Sequence, residues 1–222
     1  MDIHGKPMIW WVYKTCSVYD GCFNIVVATD SDEIYQKCQE LNMNVMMTAE
    51  SHDTPTSRLC EVADNIDADY YLMIMGDEPL IDKRCFELIM PESVTDGYYV
   101  AALTNAIHDP AEVIDFSNQK VVTNSKRETL LISRSPIPYP KGCLDIEYEK
   151  VTGVQIFSRK ALTFYTSTPK SRLERAEEND LMRFVEHGIA VKMIRSPYKT
   201  ISVDTYKDLN EVRKIMKGTV NG

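Results

Sequence analysis

The stretch Tyr70-Tyr71-Leu72-Met73-Ile74-Met75-Gly76-Asp77-Glu78-Pro79-Leu80-Ile81 decides the fold. An apolar run reaches Met75, then meets a glycine, two acids and a proline. A short unbroken apolar run between polar flanks suits a strand buried on both faces, although a segment of buried helix can read the same way. Gly76 and Pro79 break the pattern and favour a strand followed by a loop. Asp77 is then expected just past the carboxyl end of a central strand, where open α/β sheets bind ligands. A carboxylate there serves as a metal ligand or a base, or it caps a helix on a tight turn. This stretch by itself leaves both open.

An apolar strand ending in Asp-Glu also resembles the second acidic motif of P-loop ATPases. That reading requires a Gly-x-x-x-x-Gly-Lys-Ser/Thr loop upstream. Gly5-Lys6 is the Gly-Lys pair upstream of Asp77, and Pro7 follows it, so the P-loop reading fails.

Working outward, 222 residues fit one large α/β domain, or a domain with a small appendage. A composition of 44% hydrophobic and 26% charged residues is ordinary for a globular chain, and this length buries a core without disulfides. The formal net charge of -8 argues against a broad nucleic-acid surface, and an anionic small substrate would need a local basic cluster. Cys16, Cys22, Cys38, Cys60, Cys85 and Cys143 form no C-x-x-C pair, which argues against zinc or iron-sulfur sites. No signal peptide opens the chain and no apolar run approaches a membrane span, so a reduced, cytoplasmic protein is expected.

Pro7 suits the first turn of a helix through Met8-Ile9-Trp10-Trp11-Val12-Tyr13. Strands are expected at Asn24 to Asp30 and Asn44 to Thr48, with a helix from about Asp32 to Leu41 between them. A polar loop, Ala49 to Arg58, leads into an amphipathic helix with Leu59, Val62, Ala63 and Ile66 on its apolar face. This alternation up to the Tyr70 strand predicts a parallel sheet with right-handed crossovers. After Ile89 the rhythm changes. Tyr98 to Thr104, Lys120 to Thr123, Thr129 to Ile132 and Lys150 to Phe157 read as strands without strong helices between the first three. The proline-rich segment Ser133-Arg134-Ser135-Pro136-Ile137-Pro138-Tyr139-Pro140 lies among them. This section, about 98–157, reads as an antiparallel extension of a single domain spanning 1–222. Helices near Arg159 to Tyr165 and Ser171 to His187, a strand at Ala190 to Ile194, a strand-like run Ile201 to Asp204 and a helix from Thr205 to Met216 complete the chain. The Glu174 to Asp180 acidic cluster reads as a solvated helix face. Trp10 and Trp11 read as packing residues, and His108 and His187 as residues without a special role.

Several of these segments together resemble the 3-deoxy-manno-octulosonate cytidylyltransferase (CMP-Kdo synthetase) family. They are Asp2-Ile3-His4-Gly5-Lys6-Pro7-Met8-Ile9, Val26-Val27-Ala28-Thr29-Asp30, Gly76-Asp77-Glu78-Pro79-Leu80-Ile81, Ser133-Arg134-Ser135-Pro136-Ile137-Pro138-Tyr139 and Val203-Asp204-Thr205. They occur in the family's order over nearly the whole chain. The resemblance implies a Rossmann-like, mostly parallel sheet flanked by helices, of the nucleotide-diphospho-sugar transferase type, with the antiparallel section as sugar-binding and dimerisation region. It implies transfer of CMP from CTP to the anomeric hydroxyl of a 2-keto-3-deoxy sugar acid, releasing pyrophosphate, for surface polysaccharide or lipopolysaccharide synthesis. It implies that Asp77 and Asp204 bind Mg²⁺, with Arg58 as a third catalytic residue. Lys6, His52, Thr56, Arg134, Gln155, Asp180 and Arg183 become the candidate substrate contacts, and a homodimer is implied. Mg²⁺ prefers carboxylate and phosphate oxygens and binds through few protein ligands, which fits two aspartates following strand-like runs. For Asp204 the structural alternative is the N-cap of the last helix, and both roles are compatible.

The chain departs from the family pattern in three places. The family opens with a strand and a loop of the kind Pro-Ala-Arg-x-x-Ser-x-Arg-Leu-Pro-x-Lys that holds the nucleotide. The matching segments here start after it, so the chain is expected to lack that strand and loop. The family's His-Pro-Ser-Gly-Thr-Asp-Arg reads His52-Asp53-Thr54-Pro55-Thr56-Ser57-Arg58, keeping His52, Thr56 and Arg58. Its His-x-Gly-x-Tyr strand reads Val151-Thr152-Gly153-Val154-Gln155, and its Leu-Glu-Gln-Leu-Arg helix reads Asn179-Asp180-Leu181-Met182-Arg183. Changing polar groups in a pocket changes which hydroxyls it can satisfy. The acceptor is therefore expected to be Kdo or a close relative. Other readings are an enzyme for another sugar acid of the nonulosonate type, or a non-catalytic nucleotide- or sugar-binding homologue.

Overall fold

The computed structural model describes residues 1–21, 24–143 and 145–220, so Cys22 lies outside the described residues. The elements begin with β1 (Asp2–Ile3), β2 (Lys6–Pro7), α1 (Met8–Ser17), β3 (Val27–Thr29), α2 (Asp32–Glu40), β4 (Val45–Met47), α3 (Pro55–Asn65) and β5 (Tyr70–Ile74). Next come α4 (Arg84–Ile89), β6 (Val100–Ile107), α5 (Pro110–Ile114), β7 (Lys120–Thr123), β8 (Thr129–Ser133) and β9 (Tyr148–Ser158). The last are α6 (Arg159–Ser167), α7 (Arg172–Glu177), α8 (Leu181–Glu186), β10 (Lys192–Arg195) and α9 (Tyr206–Val220). They form an α/β protein in two compact units, one of Met1–His52, Ile74–Glu87 and Tyr198–Gly222, the other of Asp53–Met73 and Leu88–Pro197.

In the first unit, β1 and β2 make an antiparallel hairpin whose turn places His4 (φ 51°) and Gly5 (φ 82°) in the left-handed region, as a tight hairpin turn requires. β3 and β4 pair in parallel, joined through α2, whose N-cap Ser31 accepts from Ile34 N–H. The core gathers Ile3, Val203, Leu209, Val212 and Met216, with Trp11 packed against it. Trp11 also donates Nε1–H to the Ile3 carbonyl at 3.0 Å, so its role is packing, as expected.

The second unit holds a mixed sheet of order β10-β6-β9-β7-β8, with β5 also on β9. β10 runs parallel to β6, while β6/β9, β7/β8 and β7/β9 are antiparallel. The apolar run of β6 is buried along almost its whole length, as expected of a strand covered on both faces.

Three expectations need correction. The Ser171 to His187 helix is two helices, α7 and α8, because Glu178 adopts a left-handed conformation (φ 49°) and Asn179 Oδ1 accepts from Leu181 N–H at 3.0 Å. Ile201 to Asp204 is irregular rather than a strand. The Glu174 to Asp180 cluster is not a solvated face: Glu174 and Asp180 are buried.

Candidate functional site

After β5 the chain turns, with Glu78 N–H donating to Met75 C=O at 3.3 Å and Ile81 N–H to Glu78 C=O at 3.1 Å. A Cβ on Gly76 would stand 3.2 Å from Ile9 Cδ1, so glycine lets the turn approach α1 closely. Glu78 is buried and accepts from the Thr200 hydroxyl.

Asp77 is the residue this turn presents. Its carbonyl accepts from Val203 N–H at 2.9 Å, which ties the segment carrying Asp204 to it without a second strand. Asp77 Oδ1 is buried and has no hydrogen-bond partner. Burial, reinforced by the charge of Asp204, pushes the Asp77 carboxyl above the usual range, against its own backbone N–H and the Ser202 hydroxyl. Asp204 is exposed and does not cap α9. That cap is Thr205, whose Oγ1 accepts from Asp208 N–H at 3.3 Å while Asp208 returns the bond to Thr205 N–H at 2.8 Å. The structural alternative for Asp204 is therefore filled by its neighbour.

An orphaned buried carboxylate oxygen beside a second carboxylate is the environment a hard cation relieves. Among the described residues no group of three or more His, Cys, Asp or Glu could hold a metal. Two carboxylates such as Asp77 and Asp204 could hold a cation that completes its shell with water and substrate oxygens, as Mg²⁺ does. In the same unit, Lys6 Nζ lies 5.4 Å from the Trp10 ring centroid, and His52 is half-buried.

The remaining candidates lie in the second unit. α3 starts with a reciprocal cap between Thr54 and Ser57. The next free donor, Thr56 N–H, is taken by the buried carboxylate of Asp180 at 3.2 Å. Burial raises the Asp180 pKa. Thr54 Oγ1 lies 2.8 Å from Tyr165 Oη, and Tyr165 Oη donates to Glu174 Oε1 at 3.4 Å. Arg183 donates to Glu174 through Nε and Nη2 and to the Tyr165 and Thr168 carbonyls through Nη1. Thr56, Asp180 and Arg183 thus belong to one buried network that fixes the start of α3. Arg58 sits half-buried on that helix.

Arg134 is half-buried, with Nε donating to Glu177 C=O and Nη1 to Phe116 C=O, both at 3.1 Å. Gln155 is buried on β9 opposite Ala102, and its Oε1 has no hydrogen-bond partner. Lys120 was not among the expected site residues. It is fully buried and lies across the β7–β8 ladder from Ser133, beside Arg134. The available signal was a lysine opening an otherwise apolar strand.

The fold is that of an α/β enzyme, and residues 1–201 match the cytidylyltransferase family model. The chain belongs to that family of nucleotidyltransferases, within the group of the 3-deoxy-manno-octulosonate cytidylyltransferases, as its resemblance implied. The protein of that name from Escherichia coli is 36% identical over 217 residues, covering 97% of this chain and 88% of its own length. The one from Solibacter usitatus is 30% identical over 221 residues, 99% of this chain and 88% of its own. The structure of CMP:2-keto-3-deoxy-manno-octonic acid synthetase complexed with CTP superposes with a TM-score of 0.88 at 34% identity, covering 99% of this chain and 91% of that one. An inositol-1-phosphate CTP transferase from T. maritima, at TM-score 0.68 and 18% identity, shares the fold. Among the described residues no helix is long and apolar enough to cross a membrane.

Proposed function

We propose that the protein transfers CMP from CTP to the anomeric hydroxyl of a 2-keto-3-deoxy sugar acid, Kdo or a close relative, in a Mg²⁺-dependent reaction that serves polysaccharide or lipopolysaccharide synthesis. The hydroxyl oxygen bonds to the α-phosphorus, the bond from that phosphorus to the β-bridging oxygen breaks, pyrophosphate leaves with the electron pair, and the hydroxyl proton passes to solvent. The observation that carries this reading is the unpartnered, buried Oδ1 of Asp77 beside Asp204 in a chain of this family.

Asp77 and Asp204 would hold the Mg²⁺. When bound, the ion lowers the hydroxyl's pKa and offsets charge on the transferring phosphate. The chain's own contribution is placement: the Val203–Asp77 backbone bond fixes the two carboxylates relative to each other, and Ser202 orients the Asp77 carboxyl. On the acceptor side, the Gln155 Oε1 suits a sugar hydroxyl, and Arg134 suits the planar carboxylate of the acid. Free thiols at Cys38, Cys60 and Cys143 fit a cytoplasmic location. Exposed Ile114, Phe116 and Tyr139 support a homodimer through the antiparallel section, an arrangement that a monomer mass in sedimentation would exclude.

The test is pyrophosphate release from CTP and Mg²⁺ with Kdo and a panel of keto sugar acids. Turnover with a 2-keto-3-deoxy acid is expected, and Asp77→Asn and Asp204→Asn should each lower it about a thousandfold. Variants matching the parent at every Mg²⁺ concentration would remove the catalytic reading.

A further inference from the structure

Lys120 is fully buried, and none of its bonds goes to a carboxylate. Its Nζ donates to the carbonyls of Asp115 at 2.8 Å, Asn118 at 2.7 Å and Arg134. An ammonium has three N–H donors and a neutral amine only two, so three carbonyl acceptors select the protonated form. Burial pulls the Lys120 pKa down, while the charge of Asp115 opposes that pull. The loop before β7 thus turns the carbonyls of 115 and 118 onto one internal cation, and the carbonyl of 116 onto a second, the Arg134 guanidinium.

The Arg134 segment is held from both sides. Lys120 fixes its carbonyl, and the Glu177 carboxylate accepts from Arg134 N–H at 2.9 Å and from the Ser133 hydroxyl at 2.7 Å. The Nε and Nη1 bonds to the Glu177 and Phe116 carbonyls hold the guanidinium stem, and Nη2 makes no hydrogen bond among the described residues. A guanidinium held through Nε and Nη1, with the donors of Nη2 unused, is preorganised for an anionic oxygen.

We propose that Lys120 is a positioning residue: a built-in cation in a carbonyl cradle that holds Arg134 for the carboxylate of the acceptor. The inference rests on the reading of the acceptor as a sugar acid. Lys120 touches neither substrate and acts through Arg134.

Two measurements test it. In wild-type protein with ¹⁵N-labelled lysine, Lys120 should give a ζ-ammonium resonance that survives near pH 7, where exposed lysines lose theirs to solvent exchange. Absence of a protected ammonium overturns the cradle, whether or not any variant folds. Lys120→Met should raise KM for the acid acceptor about 10–100-fold, the loss of one charge-assisted contact, with KM for CTP within about twofold. In an Arg134→Gln background the same change should add little, because the two act as one unit. Lys120→Ala should regain acceptor affinity with added propylammonium and not with propanol. Equal losses for CTP and acceptor, or an undiminished Lys120→Met effect without Arg134, would overturn the positioning role. A wild-type protein with the protected ammonium but no turnover of any sugar acid would instead overturn the functional reading, and the role of Arg134 with it.

Discussion

Arg183→Met separates a substrate contact from a structural one. Arg183 and its partner Glu174 are 7% and 3% exposed, with Nε–Oε2 at 2.7 Å and Nη2–Oε1 at 2.5 Å. Nη1 also satisfies the Tyr165 and Thr168 carbonyls at 2.8 and 2.9 Å, and the guanidinium carbon lies 3.7 Å from the Tyr165 ring centroid. Methionine keeps most of the volume and none of the donors, leaving a buried carboxylate unpaired. Breaking such a pair from one side costs about 3–5 kcal/mol, which in a chain of this size is a fall in melting temperature of about 6–20 °C. Thermal unfolding followed by circular dichroism reads it, with KM for both substrates measured well below the transition. Arg183→Met/Glu174→Met should recover much of the loss, since replacing both members of a buried pair by apolar residues is often neutral. A single variant melting within about 2 °C of the parent, with acceptor KM raised about tenfold, would refute the structural role and return Arg183 to the pocket.

Two further outcomes follow from the buried polar atoms. Asp180 holds its proton to higher pH in the folded chain than in the unfolded one, so folding binds protons between those two values and stability falls as pH rises through that window. Asp180→Asn, which keeps an acceptor for Thr56 N–H, should flatten this slope in urea unfolding measured from pH 4 to 8, and an unchanged slope would refute the assignment. Gln155→Met should stabilise the protein by about 1 kcal/mol by removing an unsatisfied buried acceptor, while raising acceptor KM. A loss of stability would mean that Gln155 Oε1 has a partner in solution.

The Tyr70 stretch was legible because its physics is local: the apolar run ends where Gly76 and Pro79 end it, and β5 with the following turn lies there. β7 runs over Lys120–Thr123 as its β-branched pattern predicts. The break at Glu178 was hidden, since a glutamate carries no turn signature and its left-handed backbone follows from the packing around Asn179 and Asp180. The acidic cluster misled for a related reason. Its charges look solvated until Arg183 on the next helix, and Ser133 and Thr56 from far along the chain, arrive as partners. The strand-like run before Asp204 misled, because Ile201 to Asp204 forms no strand and one backbone bond from Val203 to the Asp77 carbonyl ties the two segments together. Lys120 showed in the sequence only as a lysine opening a strand, because it is the folded chain that turns three carbonyls onto it.

Compensation separates the structural acids from the one that calls for a ligand. Glu174 has Arg183, Asp180 has Thr56 N–H, and Glu177 has Ser133 and Arg134, so each of these carboxylates is answered within the second unit. Asp77 is partly answered by Ser202, yet one of its oxygens is buried without a donor, and the charge nearest in effect is another carboxylate. An isolated fold gains nothing from that arrangement, because an unpaired buried acceptor costs about 1–3 kcal/mol and like charges add to it. On the proposed reading, a bound cation recovers that cost. Gln155 Oε1 repeats the logic with a neutral group, unanswered by protein and able to accept from a hydroxyl. On the proposed reading these two acceptors, which differ in charge, differ also in the ligands they take: a metal ion at Asp77, and an uncharged sugar hydroxyl at Gln155.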